Sequence, residues 1–223
     1  MKIAIMQPYF FPYLGYWQLI NSADKFVILD DVNFIKKGWI HKNNIISNGT
    51  TQSINVCVNK ASQNKLIKDL YLSDEHDWKG KLIKKIEYAY RTSPNYNSVS
   101  FLLEDIIFNK EKNLSKYLTY SIKKICEYLN ISTEIVESSS KYFKGQLKGQ
   151  ERIISICSEE KADVYINAIG GMELYKRQDF LLEDINLKFI KSLDSVNKLS
   201  IIDEMMFNST DQVKQSLNSF SLE

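Results

Sequence analysis

Two adjacent aspartates, a histidine soon after them and a loop crowded with tyrosines are the residues of this chain best suited to chemistry. His41, in GWIHKNN, is one of two histidines. Imidazole titrates near neutral pH and can take a proton from an attacking group. Trp39 before it can help exclude water, and Lys42 and Asn43 after it can hold a phosphate or a carbonyl oxygen. The bland alternative is a surface histidine at the start of a hairpin arm. Asp30 and Asp31 close an apolar run. They can bind a ribose or sugar hydroxyl, orient His41, or serve as turn and cap residues. Paired carboxylates also suit a divalent cation, but no further ligand stands at a suitable spacing, so no metal is expected. His76, in SDEHDW, lies among acids at a helix start and reads as solvated or capping.

The opening loop, QPYFFPYLGYWQ, offers Gln7, Tyr9, Tyr13, Gly15 and Tyr16. Aromatic faces can stack on a base or sugar, and hydroxyls can bond its polar atoms. The same residues could also plug the top of a sheet, with glycine and proline shaping the turn. A second candidate is INAIGGMELY, where Asn167, Gly170, Gly171 and Tyr175 flank a strand end. Paired glycines there would let backbone approach a phosphate at a helix N-terminus, or would make a tight turn with no ligand. Lys148, Gln150 and Arg152, beside Gly145 and Gly149, could add charge to this edge but read more readily as solvated. Cys57, Cys126 and Cys157 are odd in number, widely spaced and set in apolar surroundings. They read as reduced thiols, neither a disulfide frame nor nucleophiles.

These residues need a frame. KIAIM (2–6) and FVILD (26–30) are continuous apolar runs, as expected of strands covered on both faces. LGYWQLINSA supplies about two helical turns between them, the start of a right-handed βαβ unit. HKNNIISNGTTQSINVCV carries Asn48-Gly49 at its centre, a hairpin signal, and is expected to lie beside the main sheet. Three amphipathic helices follow, one with Trp78, Leu82, Ile86 and Tyr90 on one face and stopping before Pro94, the third patterned at 118, 122, 125 and 129. The strand rhythm returns with TEIVES (133–138), a helix at 150–160, DVYINAI (163–169), a helix through MELYKRQDFLLEDI and LKFIKSL (187–193). The tail closes with helices, Met205 and Met206 in the core. The expected class is α/β, a mostly parallel doubly wound sheet of five strands in one domain spanning 1–223, with a hairpin and helical insertion at about 33–130. Its ligand belongs in the cleft between the first and fourth parallel strands.

Bulk properties set the partners. The 223 residues can bury a substantial core, and 29 basic against 27 acidic residues leave a formal charge of only +2. That gives no strong field toward nucleic acid or a membrane, so neither DNA nor a bilayer is an expected partner. No signal peptide or membrane-spanning run is legible, which points to a cytoplasmic protein. Lys81, Lys84, Lys85, Lys123 and Lys124 offer some basic surface, of the kind that is usually only solvated.

Two resemblances add to this reading. Pro12 with Tyr13-Leu14-Gly15-Tyr16 is similar to the HxGH signature of the class I nucleotidyltransferase and synthetase superfamily. Both histidines are absent and the proline is one position off. The segment implies that Rossmann-like fold more than adenylyl transfer, because tyrosine carries no positive charge near neutral pH. MKIAIMQPYFFPYLGYWQLINSADKFVILDDVNFIKKGWIHKNNI, DVYINAIGGMELY and LSIIDEMMFN together strongly resemble the WbqC-like family. Its members are bacterial proteins commonly encoded among genes for O-antigen and other surface polysaccharides. The resemblance implies acyl or aminoacyl transfer, glycyl included, to the amine of a nucleotide-linked deoxyamino sugar. His41 would then remove the proton, and Asn43 or backbone amides would stabilise the oxyanion. It implies a nucleotide-sugar as partner and an activated acyl or aminoacyl donor, an aminoacyl-tRNA among them, with ATP and magnesium a lesser expectation. An ATP-dependent ligase and a non-catalytic escort in polysaccharide assembly are the alternatives.

Overall fold

The computed structural model describes residues 1–143, 145–193 and 198–223. The first apolar run forms β1 (Lys2–Met6) and the second β2 (Lys25–Ile28), parallel, with Ile3 opposite Lys25 and Met6 opposite Ile28. Helix α1 (Leu14–Asn21) joins them. After β2 come a separate antiparallel hairpin, β3 (Lys42–Ser47) and β4 (Thr50–Asn55), and three helices, α2 (Trp78–Tyr90), α3 (Tyr96–Ile107) and α4 (Leu114–Tyr128). Asn48 and Gly49 both take positive φ, 49° and 70°, as a two-residue hairpin turn requires. Trp78, Leu82, Ile86 and Tyr90 are the buried residues of α2, the face legible in its spacing.

The sheet resumes with β5 (Glu134–Val136), α5 (Gly149–Glu159), β6 (Val164–Ala168), α6 (Arg177–Leu181) and β7 (Asn186–Ser192). Helices α7 (Ile201–Phe207) and α8 (Thr210–Leu217) follow, then β8 (Phe220–Leu222). The strand order is β5-β2-β1-β6-β7-β8, with only β8 antiparallel. The winding therefore reverses between β1 and β6, where an open sheet of this kind presents its ligand crevice.

Continuous apolar strands serve two cores at once, because successive side chains point to opposite faces. Ala4, Phe26, Ile28 and Ile166 pack on the side of α1, together with the hairpin and α2–α4. Ile3, Ile5, Val27, Tyr165 and Phe189 pack on the other side against Ile153, Ile156 and Cys157 of α5 and Phe180 of α6.

Two expectations change. MELYKRQDFLLEDI is not one helix: Ile169–Leu174 form a 3-10 segment, Tyr175 is extended, and only five residues make α6. Two adjacent glycines weaken the helix at its start. The tail does not end in helices. Phe220–Leu222 pair with Ile190–Ser192, a strand too short for its periodicity to be seen in the sequence.

Candidate functional site

Asp30 and Asp31 leave β2 at its carboxyl end and part company there. Asp30 turns toward α4, where its carboxylate accepts from Ser115 Oγ at 2.7 Å and from Ser138 Oγ at 2.7 Å. It sits at the first turn of α4, where the helix dipole favours a negative charge. Asp31 turns toward α5. It accepts from Ser139 Oγ at 2.6 Å and from Arg152 Nη2 at 3.1 Å, and the Asp31 and Arg152 side chains are each only 3% exposed. Arg152 also donates to three carbonyls of the segment leading into α5: Phe143 at 2.6 Å, Ser139 at 2.8 Å and Tyr142 at 3.2 Å. Its Nε is buried and, among the described residues, has no hydrogen-bond partner. Ser139, fully buried, accepts from the backbone N–H of both aspartates at 3.2 and 3.3 Å. The expectation of a solvated Arg152 is thus reversed. The signal was present, since position 152 falls on the buried stripe of α5 with Ile153, Ile156 and Cys157.

A cleft of about 520 Å³ opens above this pair. One wall is the segment after β2, from Leu29 to Asn33, and the other is Leu174 and Tyr175 after β6. These strands flank β1 in the sheet. The start of α5 closes the third side, and Leu66, bridged to Asn33, reaches in from the connection before α2. A groove of about 440 Å³ continues outward, sharing Lys148, Gln150, Leu174 and Tyr175. Gln150 braces its edge by donating to Asp179 and accepting from the N–H of Lys176, both at 2.5 Å. A wider groove of about 670 Å³ lies elsewhere, between the start of α2 and residues 108–112, and His76 lines it.

The opening loop is filled rather than hollow. Phe10 N–H donates to Trp39 O at 3.2 Å, Ile201 N–H to Pro12 O at 3.0 Å and Trp17 Nε1 to Pro12 O at 2.9 Å. Phe11 holds φ at 41°, and the Asn43 amide donates to the Phe11 and Phe10 carbonyls at 2.6 and 3.4 Å. Both amide hydrogens of Asn43 are thereby used, and it clamps the loop instead of facing an oxyanion. Tyr16 is 3% exposed, packs on Tyr9 and Phe26, and donates its hydroxyl to Gln7 O at 2.9 Å. That makes it core and not a substrate contact. Gly15 leaves room for the Tyr13 ring, since a Cβ there would lie 2.9 Å from it. The Tyr13 ring meets Trp39 edge-on at 5.9 Å. Burial, with Tyr13 adding to it, pushes the Tyr9 phenol up to about 12, and burial raises Tyr13 as well. These phenols exchange hydrogen bonds, not protons, near neutral pH. Gln7 is half-buried beside them.

His41 is half-buried with its ring 5.2 Å from that of Phe34, and its buried Nδ1 has no partner among the described residues. Burial, then the charge of Lys42, lowers its pKa, so the ring is neutral at physiological pH. Phe34 follows Asn33, a cleft residue, but neither His41 nor Lys42 is among the residues lining the cleft. Among the described residues, no hydrogen bond joins His41 to Asp30 or Asp31. The role of orienting His41, expected of the aspartates, therefore gives way to their bonds with serines and Arg152.

At the end of β6, Asn167 is buried and its Oδ1 accepts from Ala168 N–H at 2.7 Å. A Cβ on Gly171 would stand 3.1 Å from that amide, whereas Gly170 borders open space. The phosphate seat expected at an α-helix N-terminus is not built here, because the glycines open a 3-10 segment. Tyr175 stands in the cleft wall with its hydroxyl 3.4 Å from that of Tyr165, and burial raises its pKa. Asp31 and Tyr175 are thus the predicted residues that the fold brings to one cavity. Burial pushes the Cys126 and Cys157 thiols up to about 12, where they are inert. Among the described residues no group of three His, Cys, Asp or Glu could hold a metal ion, and no helix is long and apolar enough to cross a membrane.

The model of the WbqC-like protein family matches residues 7–215. A protein of Mycobacterium tuberculosis (strain ATCC 25618 / H37Rv), described only as uncharacterized, is 30% identical over 168 residues, 74% of this chain and 71% of that protein. No solved structure matches.

Proposed function

We propose, from the premise that this chain belongs to the WbqC-like protein family, that it is a cytoplasmic transferase modifying the amine of a nucleotide-linked amino sugar in surface-polysaccharide synthesis. The observation that carries the reading is the cleft at the reversal of the sheet, with a buried carboxylate fixed at its floor by Arg152. Its size is that of a small-molecule site, and its position is where doubly wound sheets receive ligands. A single domain over 1–223, with the hairpin and α2–α4 as an insertion, belongs to this reading. So does kinship of the opening segment with the HxGH fold. The absent histidines speak against ATP as the substrate.

The chemistry is acyl or aminoacyl transfer. The sugar nitrogen attacks the carbonyl carbon of an activated donor, the new C–N bond forms, and the donor's carrier leaves with the electron pair of its bond to that carbon. Once the C–N bond exists, the nitrogen is acidic enough for a carboxylate to take its proton. Asp31 is the carboxylate in the cleft, held by Ser139 and Arg152, and Tyr175 supplies part of the cleft wall against the sugar. His41 is not among the residues that line this cleft, so Asp31 leads this step. The neutral His41 ring supports Phe34 and, through it, the Asn33 wall.

Thermal unfolding with UDP- and dTDP-linked amino sugars tests the reading. Saturating ligand at about 100 times Kd stabilises by roughly 2.7 kcal/mol, a rise in Tm of about 5–10 °C for a chain of this size. The rise is expected to vanish in Tyr175→Ala. A mass gain on the sugar with an acyl or aminoacyl donor, aminoacyl-tRNA included, completes the assignment. A rise with ATP and magnesium alone would move the protein to the ligases, and no rise with any nucleotide-sugar would overturn the reading.

A further inference from the structure

The cleft has a polar floor but aliphatic sides. Leu29, Val32, Leu66, Leu147, Ile153 and Leu174 line it, and none of these side chains can bond a hydroxyl. A sugar ring and a glycyl group would satisfy Asp31 and Tyr175 yet leave these walls in contact with polar atoms or water. Leu174 at the mouth is 73% exposed, and the groove beyond it turns polar, with Glu151, Glu173, Lys176 and Asp179 in its lining. Lys148 stands at the same mouth, exposed and, among the described residues, without an ion-pair partner. Of the charged residues of that outer groove, Lys148 alone also lines the cleft, so aliphatic walls and this cation together suit an apolar chain with an anionic head.

We infer that these walls hold the aliphatic chain of the acyl group being transferred, with the donor's anionic carrier at Lys148. The inference rests on the transferase reading and narrows it, because a glycyl group has no chain to fill this space. The sugar then lies toward Asp31 and the chain toward Leu66 and Leu147.

Calorimetric titration with n-alkyl phosphates from ethyl to octyl, with 2-aminoethyl phosphate as a glycyl-sized comparison, tests it on the intact protein. Each added methylene is expected to tighten binding about fourfold until the cleft is filled. Leu66→Asn and Leu147→Asn should flatten that series, whereas Lys148→Ala should weaken every member by a similar factor and preserve the slope. 2-Aminoethyl phosphate should bind more weakly than butyl phosphate. A flat series in a protein that still binds nucleotide-sugars would overturn the acyl-chain assignment alone. A flat series with no nucleotide-sugar binding would overturn both readings. A flat series in a protein that dimerises until Leu174→Asn separates it would give the apolar mouth to a second copy and overturn the assignment.

Discussion

The segments that leave β1 and β2 begin side by side at one edge of the sheet and end in opposite conditions. After β1, Pro12, Tyr16, Trp17 and Asn43 direct their polar groups at backbone or at one another, and the space closes. After β2, Asp31 is fixed from below by Ser139 and Arg152 and still borders an open cleft. Residue type alone does not separate the two, because the closed segment holds the more numerous hydrogen-bonding aromatics. What separates them is where the partners stand. The hairpin and α7 cover the first segment, and the second meets the start of α5, whose arginine reaches inward.

The largest expected effects probe both sides equally. Trp17→Ala, at a fully buried site, should cost about 3–5 kcal/mol in urea unfolding. Arg152→Ala should cost a similar 3–5 kcal/mol, because it breaks a buried ion pair and leaves three carbonyls without the donor they share. A loss below about 1 kcal/mol for Arg152→Ala would break the contrast, since the cleft floor would then not be a rigid ion pair. Asn43→Ala should cost about 1–3 kcal/mol by orphaning the Phe11 carbonyl, without changing ligand binding. Tyr16→Phe should cost about 1 kcal/mol for its single bond to Gln7. Lys148→Ala should leave stability within about 0.5 kcal/mol and act on binding only.

A pH titration sharpens the same contrast from outside the cleft. Burial pushes the Glu160 carboxyl up, but hydrogen bonds from Lys25, Tyr142 and Lys141 outweigh it and hold it down at about 2. A folded-state value below the ordinary 4.5 means that its stabilisation is complete above about 4.5 and is lost as the pH falls toward 2. Glu160→Gln should remove that part of the acid limb. Unfolding curves at pH 6, 4 and 2.5 would check it.

The α/β frame was readable in the sequence because its strands are continuous apolar runs, its hairpin turn is Asn-Gly and the faces of α2 and α4 follow strict helical spacing. The strand β8 and the broken helix after Gly171 were not, since three residues carry no period and the outcome depended on β7 offering an edge. At the site, Asp31 and Tyr175 were legible as polar residues at strand ends. Arg152 was misread as solvated, because a single charge beside glycines looks like surface until its place on the buried stripe of α5 is counted. Asn43 and Tyr16 drew attention by type, but only three-dimensional contacts reveal that they seal the loop. Leu66 and Leu147 carried no signal at all, as aliphatic residues between elements read equally as core.

One contact bears on how the molecule is made. The side-chain amide of Gln18, buried in α1, finds its partners in Ser192 Oγ and the carbonyls of Ser216 and Ser219, which lie 174, 198 and 201 positions later. During synthesis α1 emerges well before α8, so that amide must wait for residues up to 201 positions later to be satisfied. Contacts of such separation slow folding, so a nascent chain arrested before residue 216 should stay open to protease while a chain arrested well beyond residue 223 resists it. Helix α1 and the end of α8 would then close on each other in a late step of folding.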